Sequence, residues 1–238
     1  MRKTVWTLAM APLLLMGADL YMAGDSTLHS RKYVTDKHPE TERCLGSWGD
    51  ELENYVKPGV KVVDLAMSGC STKSFIDQKR WAGLIAQVKP GDYVFIQFGH
   101  NDQKKNNPKV YAPAAGAYSD NIRRFVKEVR DKGGKPVLGT SMVRRFLGRD
   151  GKVNDGLEDY PETTRRLGKE LGVPVVDMNA FTRKLVESTP QEETRLWYRA
   201  SIDGKDWTHP TKLGAKVFAK AFVEDVKDNK LDLVEIFK

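Results

Sequence analysis

The stretch LYMAGDST, residues Leu20–Thr27, decides the fold, because four apolar residues lead directly into Gly-Asp-Ser. A short and nearly continuous apolar run is typical of a strand that is buried on both faces of a parallel sheet. Runs of the same character predict further strands at Lys61–Ala66, Tyr93–Phe98, Pro136–Thr140 and Val173–Asp177.

Amphipathic stretches separate these runs. The clearest is Ser119–Lys132, in which Ser119 is positioned to cap a helix whose apolar face is Ile122, Phe125, Val126 and Val129. Other predicted helices are Trp48–Val56, Arg80–Val88, Tyr160–Leu171 and Thr211–Val226, the last with Leu213, Val217, Phe218, Ala221 and Phe222 on its apolar face. This alternation predicts an α/β fold, a flavodoxin-like three-layer sandwich around a five-stranded parallel sheet. Such sheets carry their sites at the carboxyl ends of the strands.

The bulk composition is that of an ordinary globular enzyme. The chain has 238 residues, of which 40% are hydrophobic and 30% charged, which suits one domain with a sizeable core. The formal net charge of +7 either favours an acidic substrate or carries no specific meaning. No run of Lys and Arg is dense enough to indicate a nucleic-acid partner.

The N-terminus has the pattern of an export signal. Arg2 and Lys3 precede an apolar stretch, Val5–Gly17, that is too short for a convincing membrane span. We therefore predict a signal peptide over residues 1–18, a single domain over 19–238, a secreted or periplasmic location and no membrane attachment after cleavage. A buried N-terminal helix is the alternative. Cys44 and Cys70 form either one disulfide or two buried thiols.

Two separated blocks contain the elements of nucleophilic catalysis. Ser26 follows the first predicted strand, and a serine hydroxyl needs an adjacent base. Asp206 precedes His209 by one turn, so its carboxylate can orient the imidazole toward a serine. Gly69 and Asn101, each after another predicted strand, offer a backbone N–H and an amide to a developing oxyanion. Taken singly, each of these residues is better explained as an ordinary turn or cap residue.

As an ordered set, these features resemble the SGNH (GDSL-type) hydrolases. That family carries Gly-Asp-Ser, a glycine block, Gly-x-Asn-Asp and Asp-x-x-His, which correspond here to Gly24–Ser26, Gly69, Gly99–Asp102 and Asp206–His209. The blocks LYMAGDST, GDYVFIQFGHND (Gly91–Asp102), DWTHP (Asp206–Pro210) and SWGD (Ser47–Asp50) look most like rhamnogalacturonan acetylesterases. Cys70 departs from that pattern, because fungal members have an arginine after the glycine.

The resemblance implies a flavodoxin-like fold and removal of acetyl groups from the pectic backbone without a metal or organic cofactor. It makes Ser26 the nucleophile, His209 the general base and then acid, and Asp206 the residue that orients His209. It assigns the oxyanion hole to the N–H groups of Ser26 and Gly69 and to the amide of Asn101.

Other residues are open to two interpretations. Arg144 and Arg145, with Arg149 beyond them, either bind the carboxylates of an acidic glycan or belong to a solvated loop. His100 either supports the oxyanion loop or lines the substrate pocket. His29, His38 and His100 do not have metal-ligand spacing, so no catalytic metal is expected.

The predicted function is therefore that of a serine esterase that deacetylates pectic rhamnogalacturonan, acting as a monomer. One alternative keeps the triad and changes the substrate to another glycan, such as xylan, or to a lipid. The other alternative is a non-catalytic glycan-binding module on the same fold.

Overall fold

A computed structural model describes residues 17–32 and 44–238. Its centre is a five-stranded, all-parallel sheet in the order β2-β1-β3-β4-β5, the flavodoxin-like order that the sequence predicts. The strands are β1 (Leu20–Gly24), β2 (Val62–Asp64), β3 (Tyr93–Gln97), β4 (Lys135–Gly139) and β5 (Val175–Val176). The three inner strands agree with the predicted runs to within a residue. The edge strands β2 and β5 are shorter than predicted, because each pairs with a neighbour on only one side.

Helices connect the strands on both faces of the sheet. They are α1 (Trp48–Glu51), α2 (Thr72–Asp77), α3 (Arg80–Ile85), α4 (Ser119–Asp131), α5 (Tyr160–Leu171), α6 (Met178–Ser188), α7 (Gln191–Leu196), α8 (Ala200–Asp203) and α9 (Lys212–Asp228). The sequence pattern did not predict α2, α6, α7 or α8. The helix predicted over Trp48–Val56 was too long, since α1 ends at Glu51 and the chain continues as a 3-10 turn, Leu52–Asn54.

Alternate residues of each inner strand enter two separate hydrophobic cores, which gives the three predicted layers. On one face Met22 and Phe95 pack with residues of α1 and α9. Trp48 of α1 is fully buried there, with its ring 5.6 Å from that of Phe95 and 5.2 Å from that of Phe222. On the other face Tyr21 and Ile96 pack with residues of α2, α3, α4 and α5.

Two local predictions about helices were wrong. Ser119 does not cap α4, because its hydroxyl donates to the carbonyl of Ala114 at 2.6 Å within an irregular preceding turn, Ala114–Tyr118. Leu213 does not belong to the apolar face of α9, since it is 48% exposed while Phe218 and Phe222 are buried. In the first turn after the cap residue Thr211, Gly214 and Ala215 face the core, and Leu213 lies on the outward side.

The predicted signal peptide lies almost wholly outside the described residues, so its cleavage site stays a prediction. Within the described ranges, no helix is long and apolar enough to cross a membrane. Both cysteines are free thiols, with Cys70 buried and Cys44 partly exposed. Of the two alternatives for the cysteines, the structure therefore excludes the disulfide.

The sheet brings the carboxyl ends of β1, β2 and β3 together at one edge. The chain leaves β1 through a tight turn in which the N–H of His29 donates to the carbonyl of Asp25 at 3.0 Å. Gly24 permits this turn, because a Cβ there would lie 2.9 Å from the Gln97 carbonyl and 2.8 Å from the Leu28 side chain. The next residues, Asp25 and Ser26, therefore emerge at the edge where the sequence places the site.

Candidate active site

Ser26, His209 and Asp206 form a continuous chain of hydrogen bonds. The Ser26 Oγ lies 2.8 Å from Nε2 of His209, and Nδ1 of His209 lies 2.7 Å from Oδ2 of Asp206. Residues 183 positions apart in the sequence are thus in direct contact. These distances are within the range that general-base activation of a serine requires.

Asp206 is held as a carboxylate by its own turn. Burial works to raise its pKa, but hydrogen bonds from the His209 side chain and from the N–H groups of His209 and Thr208 outweigh burial and lower the pKa to about 2. Those two N–H groups donate to Oδ1 at 3.1 and 3.0 Å, which leaves Oδ2 for the imidazole. Because Asp206 is ionised at neutral pH, Nδ1 of His209 donates to it. Nε2 is then the free acceptor that faces the Ser26 hydroxyl.

The turn that carries Ser26 is anchored from beneath by Asp25, which is fully buried. Its Oδ1 accepts from the N–H and the hydroxyl of Thr27 at 3.0 and 2.9 Å, and its Oδ2 pairs with Nδ1 of His100 at 3.1 Å. Burial works to raise the pKa of Asp25, but His100 and Thr27 outweigh it and hold the pKa below its ordinary value.

His100 belongs to this support and not to the pocket surface. It is 3% exposed, and its Nε2–H donates to the carbonyl of Met142 at 3.1 Å while Nδ1 is engaged by Asp25. Both ring nitrogens are therefore occupied inside the protein. Of the two interpretations left open by the sequence, the structure favours support of the catalytic loops over substrate binding.

The SWGD block also supports the Ser26 turn. Ser47 caps α1 by accepting from the N–H of Asp50 at 3.2 Å, and its hydroxyl donates to the carbonyl of Leu28. The motif therefore fastens α1 to the chain immediately after Ser26, although it touches neither His209 nor the oxyanion donors.

The residues that carry the candidate oxyanion donors, Ser26, Gly69 and Asn101, line one cleft. Asn101 is 3% exposed, and its Nδ2 donates one hydrogen to the carbonyl of Cys70 at 2.8 Å while its Oδ1 accepts from Nζ of Lys104 at 2.7 Å. These two bonds fix the amide so that its second N–H is available to a ligand. The N–H groups of Ser26 and Gly69 donate to no acceptor within the described part of the chain. Gly69 has φ +77°, a left-handed conformation that suits glycine.

Asp102 is a supporting residue that the sequence analysis quoted only as part of a motif. Its Oδ1 accepts from the N–H and the hydroxyl of Thr72 at 2.9 and 2.6 Å, which anchors the start of α2 beside the Gly69–Cys70 loop. Burial raises the pKa of Asp102 to about 7, although both bonds from Thr72 lower it. Because Asp102 directly follows Asn101 in the Gly99–Asp102 motif, the motif was a signal that Asp102 also lies among the loops of the site.

Ser26 and His209 open into a cleft of about 740 Å³. Gly69 and Asn101 line the same cleft, so the structure brings every predicted triad and oxyanion residue except Asp206 to its wall. Asp206 lies behind His209, as its orienting position requires. Among the described residues, no group of three or more His, Cys, Asp or Glu side chains is placed to hold a metal ion.

Arg144 and Arg145, for which the sequence leaves substrate binding and a solvated loop open, do not line this cleft, and their contact with substrate stays a prediction. Arg145 is 7% exposed; its Nε donates to the hydroxyl of Thr194 at 2.8 Å, and its guanidinium lies 4.9 Å from the ring centre of Trp207. Arg144 donates from Nη1 to the carbonyl of Asp155 at 3.0 Å. Both arginines serve the packing of loops, because the backbone of this segment turns their side chains into the protein. The sequence pattern of a loop does not show whether its side chains turn into the protein or toward solvent.

Two curated relatives cover most of the chain. The rhamnogalacturonan acetylesterase RhgT of Bacillus subtilis (strain 168) is 35% identical over 223 residues, which make up 90% of this chain and 91% of the relative. The probable rhamnogalacturonan acetylesterase YesY of the same organism is 28% identical over 220 residues, which make up 92% of this chain and 97% of the relative.

Solved structures share the fold at lower identity. The YxiM protein of Bacillus subtilis superposes with a TM-score of 0.78 at 24% identity, covering 90% of this chain and 57% of that one. This chain thus spans little more than half of YxiM. The acetylxylan esterase Axe2 of Geobacillus stearothermophilus superposes with a TM-score of 0.61 at 20% identity, covering 88% of this chain and 94% of that one.

A family model defines the class to which these features belong. The model of the GDSL-like lipase/acylhydrolase family matches residues 22–217, which include the end of β1, the Ser26 turn, the oxyanion loops and the Asp206–His209 turn. Together with the relatives, this match shows that the chain belongs to the GDSL-like lipase/acylhydrolase family and is a carboxylic ester hydrolase.

Proposed function

We propose that this chain is a carbohydrate acetylesterase that removes O-acetyl groups from rhamnogalacturonan through an acetyl-serine intermediate. The observation that carries the proposal is the unbroken contact chain from Asp206 through His209 to Ser26, which ends in an open cleft beside three unpaired N–H donors. The names of the RhgT and YesY relatives support the choice of substrate.

In the first half-reaction, the Ser26 oxygen attacks the carbonyl carbon of the acetyl ester. His209 Nε2, 2.8 Å away, accepts the hydroxyl proton, and Asp206 stabilises the resulting imidazolium through Nδ1. When the tetrahedral intermediate collapses, the bond to the sugar oxygen breaks and Nε2–H returns the proton to that oxygen. The products are the free sugar alcohol and acetyl-Ser26.

In the second half-reaction, water takes the place of the sugar alcohol. His209 removes a proton from the water as it attacks the acetyl carbon, and then donates that proton to the departing Ser26 oxygen. Acetate leaves, and both side chains recover their starting states. No redox step or additional reactant is required.

The negative charge of each tetrahedral intermediate falls on the former carbonyl oxygen. The N–H groups of Ser26 and Gly69 and the second N–H of Asn101 are the donors that we assign to it. Because Lys104 and the Cys70 carbonyl hold the Asn101 amide on both sides, this donor needs little reorganisation during the reaction. Such preorganisation is typically the largest electrostatic contribution to acyl transfer.

We further propose a secreted or periplasmic monomer. The basic and apolar N-terminal pattern supports export. A single chain supplies Ser26, Asp206 and His209, so the site needs no second copy. N-terminal sequencing of protein recovered from the medium or periplasm, and its elution volume on a sizing column, test both statements.

The decisive experiment combines active-site trapping with a substrate panel. Wild type should form a covalent adduct with a fluorophosphonate at Ser26, and Ser26→Ala should form none while keeping its circular dichroism spectrum. A non-catalytic glycan-binding module would form no adduct in either protein. Acetate release should be fastest from acetylated rhamnogalacturonan fragments and slower from acetylated xylan and chitin fragments. A clear preference for acetylated xylan would overturn the substrate assignment and leave the esterase intact.

A further inference from the structure

Basic side chains dominate the charged wall of the cleft. Its described lining includes the guanidinium groups of Arg31, Arg80 and Arg199 and the ammonium group of Lys104, against the carboxyl group of Asp64. Burial raises the pKa of Asp64 well above its ordinary value, so its negative charge is disfavoured. An anionic ligand in this cleft therefore meets several cations and little opposing charge.

Two of these cations are already engaged within the protein. Arg199 lies 3.0 Å from Asp203 and 3.9 Å from the catalytic Asp206. Arg31 donates from Nη2 to the carbonyl of Ser26 at 3.3 Å and has further partners. Both side chains therefore serve the Ser26 and Asp206 turns first.

Arg80 and Lys104 differ, because within the described residues each has a neutral partner and no acidic one. Arg80 donates from Nε to the amide oxygen of Gln78 at 3.0 Å, and Lys104 donates to Asn101 at 2.7 Å. No carboxylate among the described residues lies within ion-pair distance of either cation, and the two Nη groups of Arg80 have no described acceptor. Elsewhere, arginines such as Arg123 and Arg165 pair with acids at 2.7 and 2.8 Å.

Arg80 lies on the Gly69 side of the cleft. It starts α3. Burial lowers the pKa of His29, and the charges of Arg31 and Arg80 add to that effect. Burial raises the pKa of Cys70, the residue after Gly69, and the charge of Arg80 opposes the rise. Lys104 approaches from the loop after β3 and is one hydrogen bond from the oxyanion donor Asn101. Two elements thus bring unneutralised cations to the wall that receives the ester.

We infer that Arg80 and Lys104 form a carboxylate-binding subsite for a uronic acid, either the sugar that carries the acetyl group or its immediate neighbour. This inference rests on the proposed function, because rhamnogalacturonan supplies one acidic sugar in every repeat. The planar guanidinium of Arg80 can hold a carboxylate in a bidentate manner, and the Lys104 ammonium adds a point charge. The subsite consists of residues other than Arg144 and Arg145, for which the sequence left carboxylate binding as one of two interpretations.

Inhibition provides a test that does not depend on deacetylation of any natural polymer. Hydrolysis of 4-nitrophenyl acetate is measured with two inhibitors: unacetylated rhamnogalacturonan oligosaccharides, and the same oligosaccharides after reduction of their carboxyl groups to alcohols. Wild type should bind the acidic form at least 10-fold more tightly than the reduced form, because charge-assisted hydrogen bonds are about twice as strong as neutral ones. Added salt should weaken this preference for the acidic form, because ions screen exposed charges.

The measured quantity is the ratio of the affinity for the acidic oligosaccharides to the affinity for the reduced ones. In Arg80→Gln this affinity ratio should fall to about one-tenth of its wild-type value, by the same estimate for a charge-assisted contact. Arg149→Gln is the matched control, because Arg149 is exposed and lies outside the cleft, and its ratio should equal that of wild type. Lys104→Gln is a less specific test, because it also removes the hydrogen bond from Lys104 that holds the Asn101 amide. In this variant the affinity ratio and kcat should fall together.

Two results would overturn the inference: equal inhibition of wild type by the acidic and reduced oligosaccharides, or an unchanged ratio in Arg80→Gln. The proposed function fails separately, if acetate is not released from acetylated rhamnogalacturonan. A chain that fails that assay but keeps an Arg80-dependent ratio would have the carboxylate subsite and a different acidic substrate.

Discussion

Replacement of Asp206 by Asn tests the orientation of the base directly. In the wild type, Oδ2 of the carboxylate accepts from Nδ1–H of His209 at 2.7 Å, so Nε2 is free to accept the Ser26 proton at 2.8 Å. In Asp206→Asn, Oδ1 can still accept the N–H groups of Thr208 and His209, which keeps the turn. The amide nitrogen then faces Nδ1 and donates to it. His209 is forced into the tautomer that carries its proton on Nε2 and cannot accept from Ser26.

The expected loss is large. The same carboxylate-to-amide change in a serine protease triad lowers kcat by about 10⁴, which corresponds to roughly 5.5 kcal/mol. Here Asp206 and His209 are partly exposed, so water can stabilise part of the imidazolium charge after the change, although the Arg199 cation, 3.9 Å from Asp206, works against this. We therefore expect kcat for 4-nitrophenyl acetate to fall between about 10³- and 10⁴-fold, with KM changed less than threefold.

The assay measures acetyl-enzyme formation by stopped flow across pH 6–9. Asp203→Asn is the matched control, because Asp203 loses the same charge in the adjacent turn while its Oδ1 can still accept from the N–H groups of Lys205 and Asp206. That variant should stay within fivefold of wild type. A folded Asp206→Asn protein with more than a tenth of wild-type kcat would refute the assignment of Asp206 as the orienting group.

Three further predictions follow from the site and its supports. Asn101→Ala should lower kcat by roughly 100- to 1000-fold in steady-state assays, since one oxyanion donor is worth about 2.7–4 kcal/mol; an effect confined to KM would assign Asn101 to ground-state binding. Asp102 has a pKa raised from 3.8 to about 7, so it binds its proton more tightly in the folded than in the unfolded chain, and the stability it adds is complete below pH 3.8 and lost as the pH rises through 7. Thermal unfolding of the wild type should therefore show a loss of stability of at most on the order of 4 kcal/mol between those pH values. Asp102→Asn, which keeps an acceptor for Thr72, should not show this part of the loss. Parallel stability profiles of wild type and variant against pH would contradict this. Arg145→Ala should lower the melting temperature by several degrees through loss of the Thr194 and Trp207 contacts, whereas a normal melting temperature with a raised KM for acidic glycans would return Arg145 to substrate binding.

The positions of the inner strands followed from their apolar runs, because residues buried on both faces of a sheet leave little choice of composition. Leu20–Gly24 and Tyr93–Gln97 lie within a residue of their predicted limits for that reason. The edge strands were predicted too long, and the short helices α7 and α8 escaped prediction, because these elements bury too few side chains to set up a clear period.

The triad was accessible from the sequence because parallel strands bring their carboxyl ends to one edge. Ser26 after β1 and Asn101 after β3 had to meet there once the sheet order was known. His209 follows no strand, but its spacing from Asp206 and its place before α9 matched a family pattern, and the contact at 2.8 Å to Ser26 agrees with that expectation.

The direction of loop side chains was decided only by the tertiary structure. Arg144, Arg145 and His100 were selected because they follow strands at the site's edge, yet each is occupied by carbonyls or side chains inside the protein. Arg80 and Lys104 had no periodic signal, yet they face the cleft. A sequence determines which residues are near a strand end. Whether a cation there turns inward or outward depends on acceptors that distant segments supply, such as the Thr194 hydroxyl that Arg145 finds, and these exist only in the folded chain.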